Sequence, residues 1–240
     1  MKLGININYI ASLRNAMGGA EPDLLKSSRL CEIAGAQGIA IYYDGKDANV
    51  TKSDIMYMKR ALKIPIMLMI EMNESARELA LELKPEMVFV VPENMGYQDS
   101  RGGFNVEKNI DRLNEFIVPM LYNGIKAGVF IEPKLAQIQA AYKAGAKCVE
   151  LNARKFSEAF AQNPNDKSLF TELKEAAVFA KTMNLDVTIS GGINYKSIEL
   201  VKTIPTVKFV NMGHSIITKA IFDGLTSAIK QMLEIMNNRD

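Results

Sequence analysis

The chain has 240 residues and a mass of 26.6 kDa, with 48% hydrophobic and 23% charged residues, a balance that supports one large core. Its 29 basic and 27 acidic side chains leave a net charge of +2 with no basic block, which speaks against a nucleic-acid binder, and no apolar run approaches the roughly 20 residues that span a bilayer. Two cysteines, Cys31 and Cys148, and a single histidine, His214, exclude a disulfide framework and any two-histidine metal site within one chain.

Residues 1–10 carry one lysine and then Asn6 and Asn8. That does not read as a secretory signal, so a cytoplasmic protein with two reduced, buried thiols is expected. An apolar run at 3–7 is the first strand. Residues 23–34 then set Leu24, Leu25, Leu30, Ile33 and Ala34 on one helical face, and a second strand-like run follows at 38–42. Thr51-Lys-Ser-Asp54 has the spacing of a capping box ahead of Ile55, Met58 and Leu62, which starts the next helix. The alternation continues with strands at 66–70, 87–91, 128–131, 148–151, 187–190 and 208–211, and helices at 73–84, 107–122, 134–144, 168–183, 195–202 and 215–236. Most strand runs are nearly continuous in hydrophobicity, as in strands covered on both faces. Gly35, Gly124 and Gly145 fall just past helical patterns, where a left-handed residue is often needed. The methionines, Met67, Met69 and Met72 among them, read as core filler.

Eight strands alternating with eight helices in 240 residues match the size and order of a (β/α)8 barrel; an open doubly wound sheet is the alternative. No low-complexity segment divides the chain, so residues 1–240 are expected to form one α/β domain, a single (β/α)8 TIM barrel. In that fold the active site lies at the C-terminal ends of the strands. Those ends carry Asn6 and Asn8, Tyr42 and Asp44, Glu71, Glu93, Glu132, Glu150 with Asn152, Ser190-Gly191-Gly192 and Asn211-Met212-Gly213-His214. The last two loops suit a phosphate, since glycine lets backbone amides approach it and a helix start turns a partial positive charge towards it. Glu71 and Glu150 are placed for a desolvation that lifts a carboxyl into the range of a general base, or else for pairing with a nearby lysine or arginine. Glu93 and Glu132 adjoin prolines and read as turn or ion-pair residues. His214, in a glycine loop with no carboxylate beside it in sequence, reads as a binder rather than a proton carrier.

Gly4-Ile-Asn6-Ile-Asn8-Tyr-Ile10-Ala-Ser-Leu-Arg14-Asn-Ala16 resembles the opening motif of the pyridoxine 5′-phosphate synthases. The resemblance continues in the family's order through Val90-Val-Pro-Glu93, Gly102-Gly103, Phe130-Ile131 and Asn211-Met-Gly-His214-Ser-Ile-Ile217. It implies a barrel fold, a homo-oligomer (dimer or larger) and a transferase of vitamin B6 biosynthesis. The family condenses 3-amino-2-oxopropyl phosphate with 1-deoxyxylulose 5-phosphate, closing the pyridine ring and releasing phosphate and water. It needs no metal, and no cofactor is expected. Carried over by position, Asn6, Gly192, Gly213 and His214 hold the amino-ketone phosphate, Glu71 is the base and Glu150 stabilises the transition state.

Other positions depart from the family. Asn8, Ser100 and Gly191 stand at substrate positions where the family has aspartate, threonine and histidine, the last a proton donor. Tyr42 replaces a catalytic histidine, Asp44 a phosphate-contacting arginine, Asn49 a loop histidine and Met17 an arginine. Reversed charge at Asp44 predicts repulsion of the sugar phosphate there, with Lys46 and Arg101 the nearby basic alternatives. Tyr42 becomes the candidate acid, with Tyr43 beside it. Three functions stay open: the family's reaction with altered residues, a divergent paralogue acting on another phosphorylated or amine-bearing small molecule, and a non-catalytic phosphometabolite-binding protein. A phosphorylated small molecule is the partner in the first reading and the third; neither nucleic acid nor membrane is expected.

Overall fold

Apolar runs with both faces covered form eight strands: β1 (Lys2–Asn6), β2 (Gly38–Tyr43), β3 (Ile66–Ile70), β4 (Met87–Val90), β5 (Lys126–Ile131), β6 (Cys148–Asn152), β7 (Asp186–Ser190) and β8 (Val207–Met212). In this computed structural model, which describes residues 1–47, 49–93 and 102–238, all neighbours pair in parallel and β1 pairs with both β2 and β8. The result is a closed barrel, a single (β/α)8 TIM barrel. Each strand lies within two residues of its expected run. Met67, Met69, Met87, Phe89, Phe130 and Phe209 fill the barrel interior with Ala40 and Cys148; the flexible thioethers close the gaps between rings. At the bottom, Lys126 and Lys208 pair with Asp186 at 2.7 and 3.1 Å. Cys31 and Cys148 are buried free thiols, and burial pushes Cys31 up to about 12.

A second, larger apolar layer separates the strands from the helices. Around it run α1 (Asn8–Met17), α2 (Leu24–Ile33), α3 (Lys52–Ala61), α4 (Glu74–Leu83), α5 (Ile110–Tyr122), α6 (Leu135–Lys143), α7 (Arg154–Gln162), α8 (Ser168–Thr182), α9 (Ile198–Val201), α10 (His214–Asp223) and α11 (Leu225–Asn237). Asp23, Thr51 and Asn73 cap three of these starts with their side chains, Thr51 within the expected capping box. No helix among the described residues is long and apolar enough to cross a membrane.

The helices differ from expectation in four places. Two are additions, α1 and α7, each inserted directly after a strand end. The expected helix at 195–202 shrinks to α9 because Asn194 Oδ1 accepts from the amides of Lys196 and Ser197 at 2.9 and 3.0 Å, a turn that occupies the first residues. The expected long closing helix breaks at Gly224, whose φ of +79° and ψ of 149° leave the helical region; α10 and α11 pack against each other across the break.

Candidate active site

The strand ends open into a cavity of about 690 Å³, lined on one side by Asn6, Tyr42 and Glu150 from the barrel and on the other by the loops after β7 and β8. Helix α7 forms part of the wall through Arg154, Ser157, Glu158 and Ala161, a stripe at i, i+3, i+4 and i+7.

Glu150 is fully buried at this cavity. Its Oε1 accepts a long 3.4 Å hydrogen bond from Asn211 Nδ2, and among the described residues its Oε2 and the Asn211 Oδ1 have no partner. Burial pushes the carboxyl up to about 7, against lowering contributions from Ser190 and Asn211. A carboxyl raised this far can hold a proton near neutral pH and release it to a base.

Glu71 is placed differently. It is nearly buried and faces a second cavity, of about 530 Å³, beside Asp44, Lys46, Asn73 and Glu93. It touches the main cavity's wall through Tyr42, whose hydroxyl donates to Glu71 Oε1 at 2.6 Å. Tyr43 points the other way, into the layer between barrel and helices, where burial pushes its hydroxyl up; it is not at the cavity.

Asn8, expected among the binding residues, does not line either cavity and is fully buried. Its Nδ2 donates to the Tyr42 carbonyl and its Oδ1 accepts from the Tyr42 amide, both at 2.8 Å. It thus fixes the backbone from which Tyr42 reaches Glu71. Asn6 does line the cavity, and its Oδ1 accepts from the Asn8 amide at 3.0 Å.

The glycine loops converge as expected. Gly191 and Gly192 have φ of +101° and +74°, which side chains rarely adopt. Gly213 lies against Tyr9, where a Cβ would come within 2.5 Å of the ring. His214 begins α10 and meets Tyr9 edge-on at 6.0 Å between ring centroids. The amides of Gly213, His214 and Ser215 precede the first bond of α10, from Ile217 to the Gly213 carbonyl at 3.0 Å, so they belong to the helix end that favours anions. Ser157 steadies the other loop by donating to the Gly191 carbonyl at 2.9 Å. Ser100 and Arg101 lie outside the described residues. Glu93 pairs with Arg112 at 2.7 Å and Glu132 with Lys155 at 2.6 Å. No three His, Cys, Asp or Glu side chains among the described residues converge as a metal site.

Sequence reasoning missed Arg154, Ser157 and Tyr9. The stripe at 154, 157, 158 and 161 was the available signal for the first two; nothing in the sequence marks Tyr9 as the cover of Gly213.

Comparison with known proteins completes the picture. Residues 3–238 match the family described as Pyridoxal phosphate biosynthesis protein PdxJ. The pyridoxine 5′-phosphate synthase of Chlorobium phaeobacteroides is 35% identical over 236 residues, covering 98% of this chain and 100% of the relative. That of Sulfurihydrogenibium sp. is 35% identical over 241 residues, covering 99% and 98%. Among solved structures, the BexX/CysO complex of Amycolatopsis orientalis is similar with a TM-score of 0.62 at 14% identity, covering 98% of this chain and 87% of that one; so low an identity shows the fold alone. With a family match and relatives that span both chains almost end to end, this chain belongs to the pyridoxine 5′-phosphate synthase family of vitamin B6 biosynthesis.

Proposed function

We propose that the chain carries out the family's condensation, joining 3-amino-2-oxopropyl phosphate to a carbonyl sugar phosphate, with 1-deoxyxylulose 5-phosphate as the expected partner. The observation that carries this reading is Glu150: a fully buried carboxyl pushed up to about 7, facing a cavity whose far side is two glycine loops and a helix start. The amino-ketone phosphate sits on the amides around Gly192 and Gly213 with His214 at its edge. Glu150, as the carboxylate, balances positive charge that develops on the nitrogen-bearing intermediate. Tyr42 exchanges a proton at the reacting carbon and passes it to Glu71 across their 2.6 Å hydrogen bond, so Glu71 serves as base from behind the wall.

The test is direct assay of the purified chain with both substrates, together with rescue of a strain unable to make pyridoxine. Pyridoxine 5′-phosphate formed in vitro and growth in vivo are expected. Binding of the amino-ketone phosphate without product would favour the paralogue reading, which the carboxylates of Asp44, Glu71 and Glu93 around the second cavity already support. Cytoplasmic location and assembly into homo-oligomers go with the family reading. Exposed Leu13 and Met17 on α1 and Ile221 and Phe222 on α10, two helices in contact, support assembly. Sedimentation at micromolar concentration is expected to exceed the 26.6 kDa of one chain; a monomer would count against it.

A further inference from the structure

We propose that Arg154 forms a second phosphate subsite in the main cavity, taking the phosphate monoester of the sugar substrate on the free edge of its guanidinium. This rests on the condensation reading for the identity of the ligand, not for the subsite itself.

Four observations lead there. First, the acidic and basic side chains lining the cavity are Glu150, Arg154, Glu158 and His214, so among the described residues Arg154 is its only permanent cation. Second, Arg154 Nε donates to Glu158 Oε1 at 2.7 Å, one helical turn on, while the two Nη atoms make no hydrogen bond among the described residues. Glu158 thereby occupies Nε and leaves the two Nη groups side by side, the geometry that receives two phosphate oxygens at once. Third, the arginine is not a stray surface group. Residues 154, 157, 158 and 161 of α7 face the cavity as one stripe, and the amide of Arg154 would lie 3.0 Å from a Cβ at Gly191, which seats the helix against the glycine loop.

Fourth, the described residues on the other side of the barrel are more acidic than basic. Among the described residues, the cavity at Glu71 sets Asp44, Glu71 and Glu93 beside Lys46. Asp44, where the family has a phosphate-contacting arginine, turns the sugar phosphate away, and Arg154 offers it charge from the opposite wall. The main cavity, at about 690 Å³, has room for the amide-bound phosphate and a second one.

The experiment uses the full chain as wild type, R154A and R154K. Inorganic phosphate is titrated with detection by phosphorus NMR, and 1-deoxyxylulose 5-phosphate is titrated calorimetrically in the presence of saturating 3-amino-2-oxopropyl phosphate. The wild type is expected to bind two phosphates per chain and R154A one. R154A should weaken the sugar phosphate by about 10-fold or more and the amino-ketone phosphate by less than about twofold. R154K, which keeps charge but not the paired edge, should fall between and shows that folding is intact. Two phosphates retained in R154A, or equal weakening of both substrates, would overturn the subsite. If the sugar phosphate fails to bind the wild type while the phosphate count still drops from two to one, the condensation reading falls and the subsite stands.

Discussion

Glu150 owes its raised pKa to burial, and burial has a measurable cost. A carboxyl raised from 4.5 to about 7 is protonated in both folded and unfolded chains at low pH. Between those two values only the folded chain holds the proton, so stability is full below about pH 4.5, falls as pH rises through about 7, and then levels off. A shift of this size corresponds to about 3 kcal/mol. Denaturant melts at pH 5 and pH 8 should show wild type losing stability between the two while E150Q stays nearly level; parallel behaviour would mean that Glu150 is solvated. A second residue-scale prediction concerns Tyr42 and Glu71. Since Glu71 meets the cavity wall at the tyrosine hydroxyl, Y42F and E71Q should each lower kcat by about 10²-fold, and the double variant should be no worse than either. Multiplying losses would show two independent roles. The missing histidine at Gly191 is a different kind of loss. With φ at +101° and a Cβ that would fall 2.7 Å from Asn152 Oδ1, the position has been rebuilt around glycine, and a single substitution cannot put the histidine back.

Helix α7 is the element on which the cavity wall depends, and Phe156 anchors it. That ring is buried, with Phe160 and Phe170 each 5.8 Å away between centroids. F156A is expected to destabilise the protein by about 3 kcal/mol and to weaken phosphate binding as the wall loosens, both readable in one thermal-shift titration with phosphate; unchanged binding would detach α7 from the site. The same helix marks what could be read in advance. The strands were legible because runs such as Ile66–Ile70 are apolar at every position, the pattern that two covered faces demand. The glycine loops were legible because they follow the seventh and eighth strands, where a barrel gathers phosphate-binding amides; either alone would be an ordinary turn. Helix α7 was not, because alternation alone assigns one helix to each strand and Arg154–Gln162 falls in the interval. Nor was the break at Gly224, since the hydrophobic spacing of 215–236 runs through it. Glu71 was legible as a carboxylate at a strand end, but which of two cavities it faces depends on the packing of Tyr42, and Asn8 looked like a ligand contact only because its partner, the backbone of Tyr42, is 34 residues away.

Across the whole molecule the two barrel ends differ, with the cavity at one and a cluster of ion pairs at the other. Asp186 receives Lys126 and Lys208 at the lower end. Burial pushes its carboxyl up, but the two lysines outweigh this and hold it below the usual range. The stability it contributes is therefore present above about pH 4 and lost as pH falls below it. Because the pair is partly exposed, D186N should cost only about 1 kcal/mol, less at high salt, and leave kcat unchanged; an altered kcat would show that the ends are coupled. The closure of β8 onto β1 also bears on how the chain is made. Both strands next to the seam keep a bare row of amides and carbonyls until residues 207–212 have left the ribosome, and α11, which packs on α2 near the start of the chain, can bolt the seam only after that. A nascent chain halted short of β8 is thus not a smaller barrel but an open sheet with two adhesive rims, the kind of surface on which chaperones settle and neighbouring chains stick.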